Sequence, residues 1–422
     1  MDERPATADW RVILLLLFSL AGALAAISTA LVMLAITAIN FLAPAEWPSM
    51  DASPVSSLLI ASTLTAVGLL FLPIGYYSLQ RLRGRPQTAL ILPPLRPWTW
   101  ILLPLLWVVL AILAALFYDG DGVLIYAPAL HFLAVALPLY LLVRAAANRI
   151  SLGSPLRAWS VLGSSMSLSL AVAIALEIAV LAIVVIAAAS VTAVVHPAAL
   201  DDILSLLNKL ESATDLESLL SSLAPIIEHP LTLVAALVFL SGFTPLIEEF
   251  AKSLGVWLVS GRLSSPAQGF ALGALSGAGF ALVESLSASL SPDESWAFAF
   301  AARAFSGLMH VLAAGLMGLG VAYARLEKRY ARLAGLALLA ALIHAAWNAG
   351  AVLVAIGSLR ITLADPEIDL AGTLLGMAGL LLLLFMAASM AVGLLVLNAR
   401  LARAESRSLP TPPAPEPLPT SP

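Results

Sequence analysis

Residues 296–320 read WAFAFAARAFSGLMHVLAAGLMGLG, an apolar run that holds one arginine, Arg303, and one histidine, His310. About 20 apolar residues are enough for a helix to cross a hydrocarbon core roughly 30 Å thick. A charged side chain at the centre of a bilayer carries a penalty of about 2.5 to 3.5 kcal/mol, so an ionisable residue in such a helix is a functional candidate. The stretch therefore predicts a transmembrane helix with a polar site along it.

The rest of the chain repeats this apolar pattern. Of its 422 residues 61% are hydrophobic and 11% charged, whereas charged residues make up about a quarter of a soluble domain. The chain does not show the period-two alternation that would indicate a barrel. Its continuous apolar runs therefore predict helices, which satisfy their own backbone groups in lipid. We predict an all-α polytopic transmembrane bundle of ten spans, near residues 12–42, 56–79, 98–117, 123–143, 165–195, 230–259, 266–290, 296–324, 333–357 and 370–399.

Basic residues alternate between the loops that join these spans. Lys209 and Arg360 stand on one side of the predicted membrane among acidic residues, and nearly all other loop lysines and arginines fall on the opposite side. Because cytoplasmic loops are enriched in Lys and Arg, both termini are expected to be cytoplasmic. An Ala/Leu/Arg-rich chain without cysteine or targeting extension favours a prokaryotic plasma membrane, with lipid as its surroundings. A net charge of −4 gives no reason to expect a nucleic-acid partner.

The spans and loops divide the chain into five expected parts. An extracytoplasmic segment with spaced leucines is expected to lie on the outer leaflet as an amphipathic helix or hairpin, or to cap a site below it. The proline-rich C-terminus is expected to be a disordered cytoplasmic tail. The parts are an N-terminal bundle of four spans (1–160), a fifth span with the amphipathic segment (161–229), a four-span core (230–357), a last span (370–404) and the tail (405–422).

Ionisable residues inside the predicted membrane concentrate in spans 6 to 9. The interiors of spans 1 to 3 hold essentially none. Glu177 in span 5 and His131 in span 4 lie at similar depths, and we interpret them as structural or accessory. Seven such groups in four consecutive helices predict one shared polar site, formed by Glu248, Glu249, Lys252, Glu284, Arg303, His310 and His344.

Span 6 contains two adjacent glutamates after a proline. Pro245 lacks a backbone N–H and is expected to kink the helix just before them. Glu248 and Lys252 are four residues apart and can pair. Glu249 lies about 100° further round the helix, so we expect one carboxylate to face Lys252 and the other to face a cavity. The alternative is that Glu248 and Lys252 only neutralise each other during membrane insertion, which leaves Glu249 unexplained.

Span 7 carries a small-residue face and a polar face. Gly269, Gly273 and Gly277 recur at every fourth position, a spacing that lets two helices approach closely. Phe280 and Glu284 share another face because they are one turn apart. The alternative for Glu284 is a residue that reaches towards the outer interface.

Spans 8 and 9 each place a histidine in the membrane. Arg303 and His310 are seven residues apart and share one face of span 8. His344 and Asn348 are one turn apart in span 9, with Trp347 beside them. A single intramembrane histidine is more often a packed polar residue than a ligand, but two on adjacent helices facing three glutamates favour a site.

Imidazoles and carboxylates together indicate a buried metal site or an acid/base site. Both groups are usual ligands of zinc, and a catalytic zinc keeps one position open for water. That water becomes a nucleophile near neutral pH, and a nearby glutamate can accept its proton. A divalent metal, with zinc expected first, would be held between helices rather than by one helix, and a metal-free mechanism based on the glutamates stays the alternative.

The order of these motifs resembles the PrsW family, which belongs with the CAAX prenyl endoproteases and bacteriocin-processing enzymes to a wider group of intramembrane endopeptidases. The resemblance covers about residues 240–352. It rests on Glu248-Glu249-x-x-Lys252, Phe280-x-x-x-Glu284, Arg303 with His310, and His344 with Asn348. Lys252 and Glu284 favour the PrsW branch, because prenyl endoproteases usually carry an arginine and a histidine in the corresponding motifs.

This resemblance implies a membrane-embedded, metal-dependent endopeptidase. Its substrate would be a single-pass membrane regulator similar to an anti-sigma factor. The resemblance implies Glu248, Glu249 and His310 as catalytic residues, His310, His344, Glu249 and Glu284 as metal ligands, with Glu284 alternatively a supporting residue, and Lys252, Phe280, Arg303, Trp347 and Asn348 as supporting residues.

Two other classes of function stay open from the sequence. A secondary transporter also places kinked helices and charges at the midplane for a proton or ion site, but it predicts an inverted repeat, and none is visible between the two halves. A non-catalytic membrane scaffold would tolerate loss of the carboxylates.

Overall fold

The computed structural model describes residues 9–42, 53–119, 122–195, 205, 230–363 and 369–408. Regular secondary structure in these residues is helical, and one isolated antiparallel bridge joins Ile91 to Ser151 in two loops. Ten of the described helices are long and apolar enough to span a membrane. The predicted all-α polytopic bundle is confirmed. The predicted amphipathic segment, apart from Ser205, and residues 409–422 of the predicted tail lie outside the described residues.

Ten helical units follow each other along the described chain. Two of them, α5 and α6, are each built from several successive helical segments. They are α1 (Trp10–Leu42), α2 (Pro54–Leu82), α3 (Thr99–Leu116), α4 (Val123–Ala146), α5 (Pro155–Ser164, Ser165–Ser169 and Leu170–Val195), α6 (Pro230–Ala236, Leu237–Phe243, Thr244–Val259 and Ser260–Arg262), α7 (Pro266–Ala288), α8 (Trp296–Glu327), α9 (Tyr330–Leu363) and α10 (Leu370–Ser408).

The helix ends are marked by residues that satisfy free backbone groups. The Ser265 hydroxyl accepts a hydrogen bond from the Gln268 N–H, and Pro266 opens α7, which is a favourable N-terminal pair. Lys328 ends α8 in the left-handed conformation, with φ of 59°, so α9 follows after two residues. At the C-terminus α10 continues to Ser408, beyond the predicted end of the last span, because Leu401 is buried in the core and Ser265 donates a hydrogen bond to Glu405.

Helices α7 and α8 form the centre of the bundle. In the most apolar window of each, 83% and 89% of the residues are buried. A Cβ atom added to Gly277 would collide with the carbonyl oxygen of His310, and one added to Gly273 with that of Ala314. The two backbones therefore lie in direct contact. The close packing predicted from the glycine spacing is confirmed.

The other helices surround this central pair. Helix α4 packs on both α7 and α8, α9 packs on α8, and α10 packs on α9. One hydrophobic core joins α7 and α8 to α9, α10 and parts of α4, α5 and α6, and a second joins their other ends to α1–α5. Helix α5 reaches the site through a small cluster of Ala173, Ala251 and Phe280.

Two π-helical stretches interrupt the helices beside the polar residues. They are Ser165–Ser169 in α5 and Leu237–Phe243 in α6. Pro245 lies just after the second stretch, at the start of the α-helical segment that carries the two glutamates. The distortion predicted at this proline is therefore present, in the form of a seven-residue π-helical stretch. Such stretches are frequent at functional sites.

Candidate active site

Helices α6, α7, α8 and α9 bring their ionisable side chains into one cluster. Glu249, Lys252, His310 and His344 are at most 2% exposed, and Glu248 is 9% exposed. Glu284 and Arg303 lie at the more open edge of the cluster. The prediction that seven residues of four helices form one polar site is confirmed for their positions.

Lys252 lies at the centre of this cluster. Its Nζ atom is 2.9 Å from Glu248 Oε2, 2.8 Å from Glu249 Oε1 and 2.7 Å from His310 Nδ1. The ammonium also lies 4.6 Å from the centre of the Phe280 ring. The expectation that only one glutamate faces Lys252 is wrong. Residues three and four positions before a lysine both lie on its side of a helix, so the flexible side chain contacts both.

His344 is held by Glu249. Its Nδ1 atom is 2.9 Å from Glu249 Oε1, and because a carboxylate accepts hydrogen bonds, the ring hydrogen is assigned to Nδ1. The Nε2 atom then carries a lone pair. That atom lies 3.8 Å from Glu248 Oε2.

His310 is held in the same way by Glu284. Its Nε2 atom is 2.8 Å from Glu284 Oε2, while its Nδ1 atom accepts from Lys252 and lies 4.0 Å from Glu248 Oε2. Glu284 is bound on its other side by Arg303, whose Nη2 atom is 2.7 Å from Oε1. Two predicted faces are confirmed. Arg303 and His310 share one face of α8, and Phe280 and Glu284 share one face of α7.

Three donor atoms of this cluster face one another. Glu248, His310 and His344 each offer one donor within 4.8 Å of the other two. Glu248 Oε2 is buried and accepts no well-aligned hydrogen bond, although Lys252 lies at ion-pair distance. A carboxylate and two neutral imidazoles are a donor set that zinc accepts, so these residues fit a divalent metal.

The predicted ligands Glu249 and Glu284 take a different place in this geometry. Each contacts the imidazole nitrogen that points away from the group of three donors. A carboxylate behind a histidine fixes the ring and its tautomer in many metal sites. The assignment of metal ligands and of catalytic roles stays a prediction, with Glu248 as an additional candidate ligand.

The two remaining supporting residues lie on α9. Trp347 is buried in the core beside His344. Asn348 donates a hydrogen bond of 2.7 Å from Nδ2 to the carbonyl oxygen of Leu240. That carbonyl belongs to the π-helical stretch of α6, so Asn348 ties α9 to the helix that carries the two glutamates.

Sequence reasoning missed three serines that support the site. Ser276 donates to the carbonyl oxygen of Lys252 at 2.6 Å, and Ser165 donates to the carbonyl oxygen of Ser276. Ser285 accepts a hydrogen bond from Arg303 Nε at 3.1 Å. The role of these serines was hard to predict from the sequence, because serine in a transmembrane helix often bonds only to its own helix.

His131 and Glu177 stay outside the group of donors. His131 is fully buried, hydrogen-bonded to Ser289 at 2.9 Å and stacked on Trp296, which agrees with a structural role. Glu177 lies one turn from Ala173 on α5, and one of its carboxylate oxygens is buried without a hydrogen-bond partner among the described residues.

Comparison with known proteins completes this picture. The chain has no significant match among curated proteins or solved structures. A family model described as PrsW family intramembrane metalloprotease matches residues 170–392, which take in most of α5, all of α6 to α9 and most of α10. The matched residues make up more than half of the chain and contain the whole cluster, so the chain belongs to the PrsW family of intramembrane metalloproteases.

Proposed function

We propose that this membrane protease uses a zinc ion, held by Glu248, His310 and His344, to cleave single-pass membrane proteins of a prokaryotic plasma membrane. One observation carries the metal site. Both imidazoles are backed by a carboxylate, and both direct their other nitrogen towards Glu248 Oε2. This carboxylate–histidine arrangement is typical of metal ligands. Family membership favours the protease over the transporter and the scaffold.

The chemistry of peptide hydrolysis needs a water, a base and an acid. When bound, zinc lowers the pKa of a coordinated water to about 7. Glu249 is suited to act as the base, because its Oε2 atom is buried without a hydrogen-bond partner among the described residues. A proton accepted there can pass to the leaving amine as the peptide bond breaks. Glu284 and Arg303 hold the His310 ring in place during these transfers.

The location of the site and the family resemblance support this class of substrate. The donors are buried among membrane-spanning helices, so the scissile bond has to reach them from a membrane segment. Access is open on the side of Glu284 and Arg303, whose side chains are 31% and 21% exposed. A membrane-anchored regulator similar to an anti-sigma factor fits such a site.

A trapped variant tests the protease and identifies its substrate. Full-length protein carrying Glu249→Gln is expressed in cells that lack the wild-type copy, and new protein N-termini in the membrane are compared by mass spectrometry. We expect at least one N-terminus of a single-pass protein to disappear, and the uncut protein to co-purify. Glu327→Gln, which changes an exposed ion pair with Arg329 on the same bundle, is the matched control.

Metal analysis tests the ligands separately. We expect about one zinc per purified chain, in line with one three-residue site, and loss of that zinc in the His310→Ala/His344→Ala double variant. Normal cleavage in Glu249→Gln would refute the catalytic assignment. A purified wild-type protein that cleaves but holds no transition metal would refute the zinc site.

A further inference from the structure

The cluster already contains a cation that belongs to the chain. Lys252 Nζ lies within 2.9 Å of Glu248 Oε2 and within 2.7 Å of His310 Nδ1. Glu248 and His310 both belong to the group of three donors, and these two atoms lie 4.0 Å from each other, so they are the pair that would hold a metal. The ammonium and a metal ion would therefore bind to the same two atoms.

The distances decide whether both cations fit at once. Glu248 Oε2 and His310 Nδ1 are 4.0 Å apart, and zinc binds oxygen and nitrogen at about 2.0 to 2.2 Å, so a metal held by both must lie close to the line between them. Lys252 Nζ stands to the side of that line, 2.9 Å and 2.7 Å from its two ends. The nitrogen is then only about 2 Å from the metal position, which is too close for two cations.

The remaining contacts of Lys252 show how its side chain can give way. Glu249 Oε1 lies 2.8 Å from Nζ and is not one of the three donors, and the face of the Phe280 ring lies 4.6 Å away. Both groups can still stabilise the Lys252 ammonium after it has turned away from Glu248 and His310. The backbone stays in place, because Ser276 binds the Lys252 carbonyl oxygen. Only the side chain has to turn.

From these distances we propose that Lys252 competes with the metal for one position and so sets the affinity of the site for zinc. This inference rests on the metal site of the proposed function. A site whose binding-competent state is only partly populated shows an affinity reduced by that fraction. Removal of the Lys252 side chain should therefore restore the full affinity of the site for zinc.

Zinc titration of purified full-length protein tests this competition. We expect Lys252→Met to bind zinc about tenfold or more tightly than the wild type, measured against a chelating dye, and Lys252→Gln replaces it if the first variant is not monodisperse. Arg303→Met is the matched control. It also removes one positive charge, at the open edge of the cluster, but Arg303 contacts Glu284 and none of the three donors, so we expect a much smaller gain.

The outcomes separate this inference from the proposed function. Zinc binding in Lys252→Met that is unchanged or weaker, or an equal gain in Arg303→Met, would each overturn the competition alone. Absence of zinc binding in both the wild type and Lys252→Met would overturn the metal site, and the competition with it.

Discussion

The two halves of the candidate active site come from helices that are packed in different ways. Helices α7 and α8 lie at the centre of the bundle, with 83% and 89% of their most apolar windows buried, against 17% for α6 and 33% for α9. The central pair contributes Phe280, Glu284, Arg303 and His310. The outer pair, α6 and α9, contributes Glu248, Glu249, Lys252 and His344.

The difference shows where the site is fixed and where it can adjust. In the central pair the backbones are in contact at three glycines, which leaves little freedom of movement. The outer helices hold each other through the Glu249–His344 and Asn348–Leu240 bonds, and they meet the central pair at Lys252 and His310. A fixed half therefore faces an adjustable half across contacts that include this one and the hydrogen bond from Ser276 of α7 to the Lys252 carbonyl oxygen.

The central pair should be the part least tolerant of change. A Cβ atom on Gly277 would collide with the carbonyl oxygen of His310 and come within 2.9 Å of Ala314, so Gly277→Leu is expected to destabilise the fold by at least about 3 kcal/mol. Size-exclusion chromatography and thermal unfolding in detergent measure this loss.

A glycine on the outer helix α9 provides the control for this substitution. An added Cβ on Gly335 meets nothing within 4 Å, so Gly335→Leu is expected to leave the unfolding temperature nearly unchanged. Equal effects of the two substitutions would contradict the contrast between the central and the outer pair.

A substitution in the outer pair should lower the protease activity without lowering the stability of the fold. His344→Ala removes one proposed zinc donor and the partner of Glu249, and we expect cleavage to fall by roughly 10³-fold and zinc to be lost, while the unfolding temperature stays within a few degrees. Asn348→Ala, one turn along the same helix, removes only the bond to the Leu240 carbonyl and should have a smaller effect. Full cleavage by His344→Ala would show that the histidine of α9 is not needed for catalysis.

Much of this contrast could be predicted from the sequence, because it depends on periodic features. Apolar runs predict the ten spans, and glycines at every fourth position predict the contact between α7 and α8. Residues seven apart, Arg303 and His310, were expected on one face and both contact Glu284. Helical geometry fixes such relations before any packing is known.

The rest depends on how the helices are rotated against each other and on side-chain conformation. Lys252 reaches both glutamates, and Glu248 rather than Glu249 joins the group of three donors, although the two glutamates are adjacent in sequence. Nothing local distinguishes Ser276 and Ser285 from serines that bind only their own helix. The residues in the site were predictable, but the pairing of their atoms was not.

Within the central pair, substitution of Ser285 is expected to cause a partial loss of activity. Its hydroxyl accepts the hydrogen bond from Arg303 Nε, so Ser285→Ala should leave Arg303 less well oriented towards Glu284 and lower kcat about tenfold, the usual size for a bond to a charged group. Ser285→Thr, which keeps a hydroxyl, should restore most of it. Ser306→Ala is the control, since that hydroxyl binds only the Arg303 carbonyl in its own helix. An unchanged kcat in Ser285→Ala would show that the ion pair with Glu284 is enough to orient Arg303.

The smallest effect is expected at Asp369, which lies directly before α10 and outside the membrane-spanning segments. The hydrogen bond from Arg360 Nε to Asp369, at 2.7 Å, holds the pKa of that carboxyl below its ordinary value, helped by the Gly372 and Ala371 N–H groups. A lowered folded-state pKa stabilises the protein above the unfolded value, near 3.8, and this stabilisation is lost as the pH falls through the folded value. The unfolding temperature of the wild type should therefore fall slightly more than that of Asp369→Asn when the pH is lowered from 5 towards 3. Identical curves would mean that Arg360 and Asp369 do not fasten α9 to α10, and that α9 is held in the bundle by its membrane-embedded contacts alone.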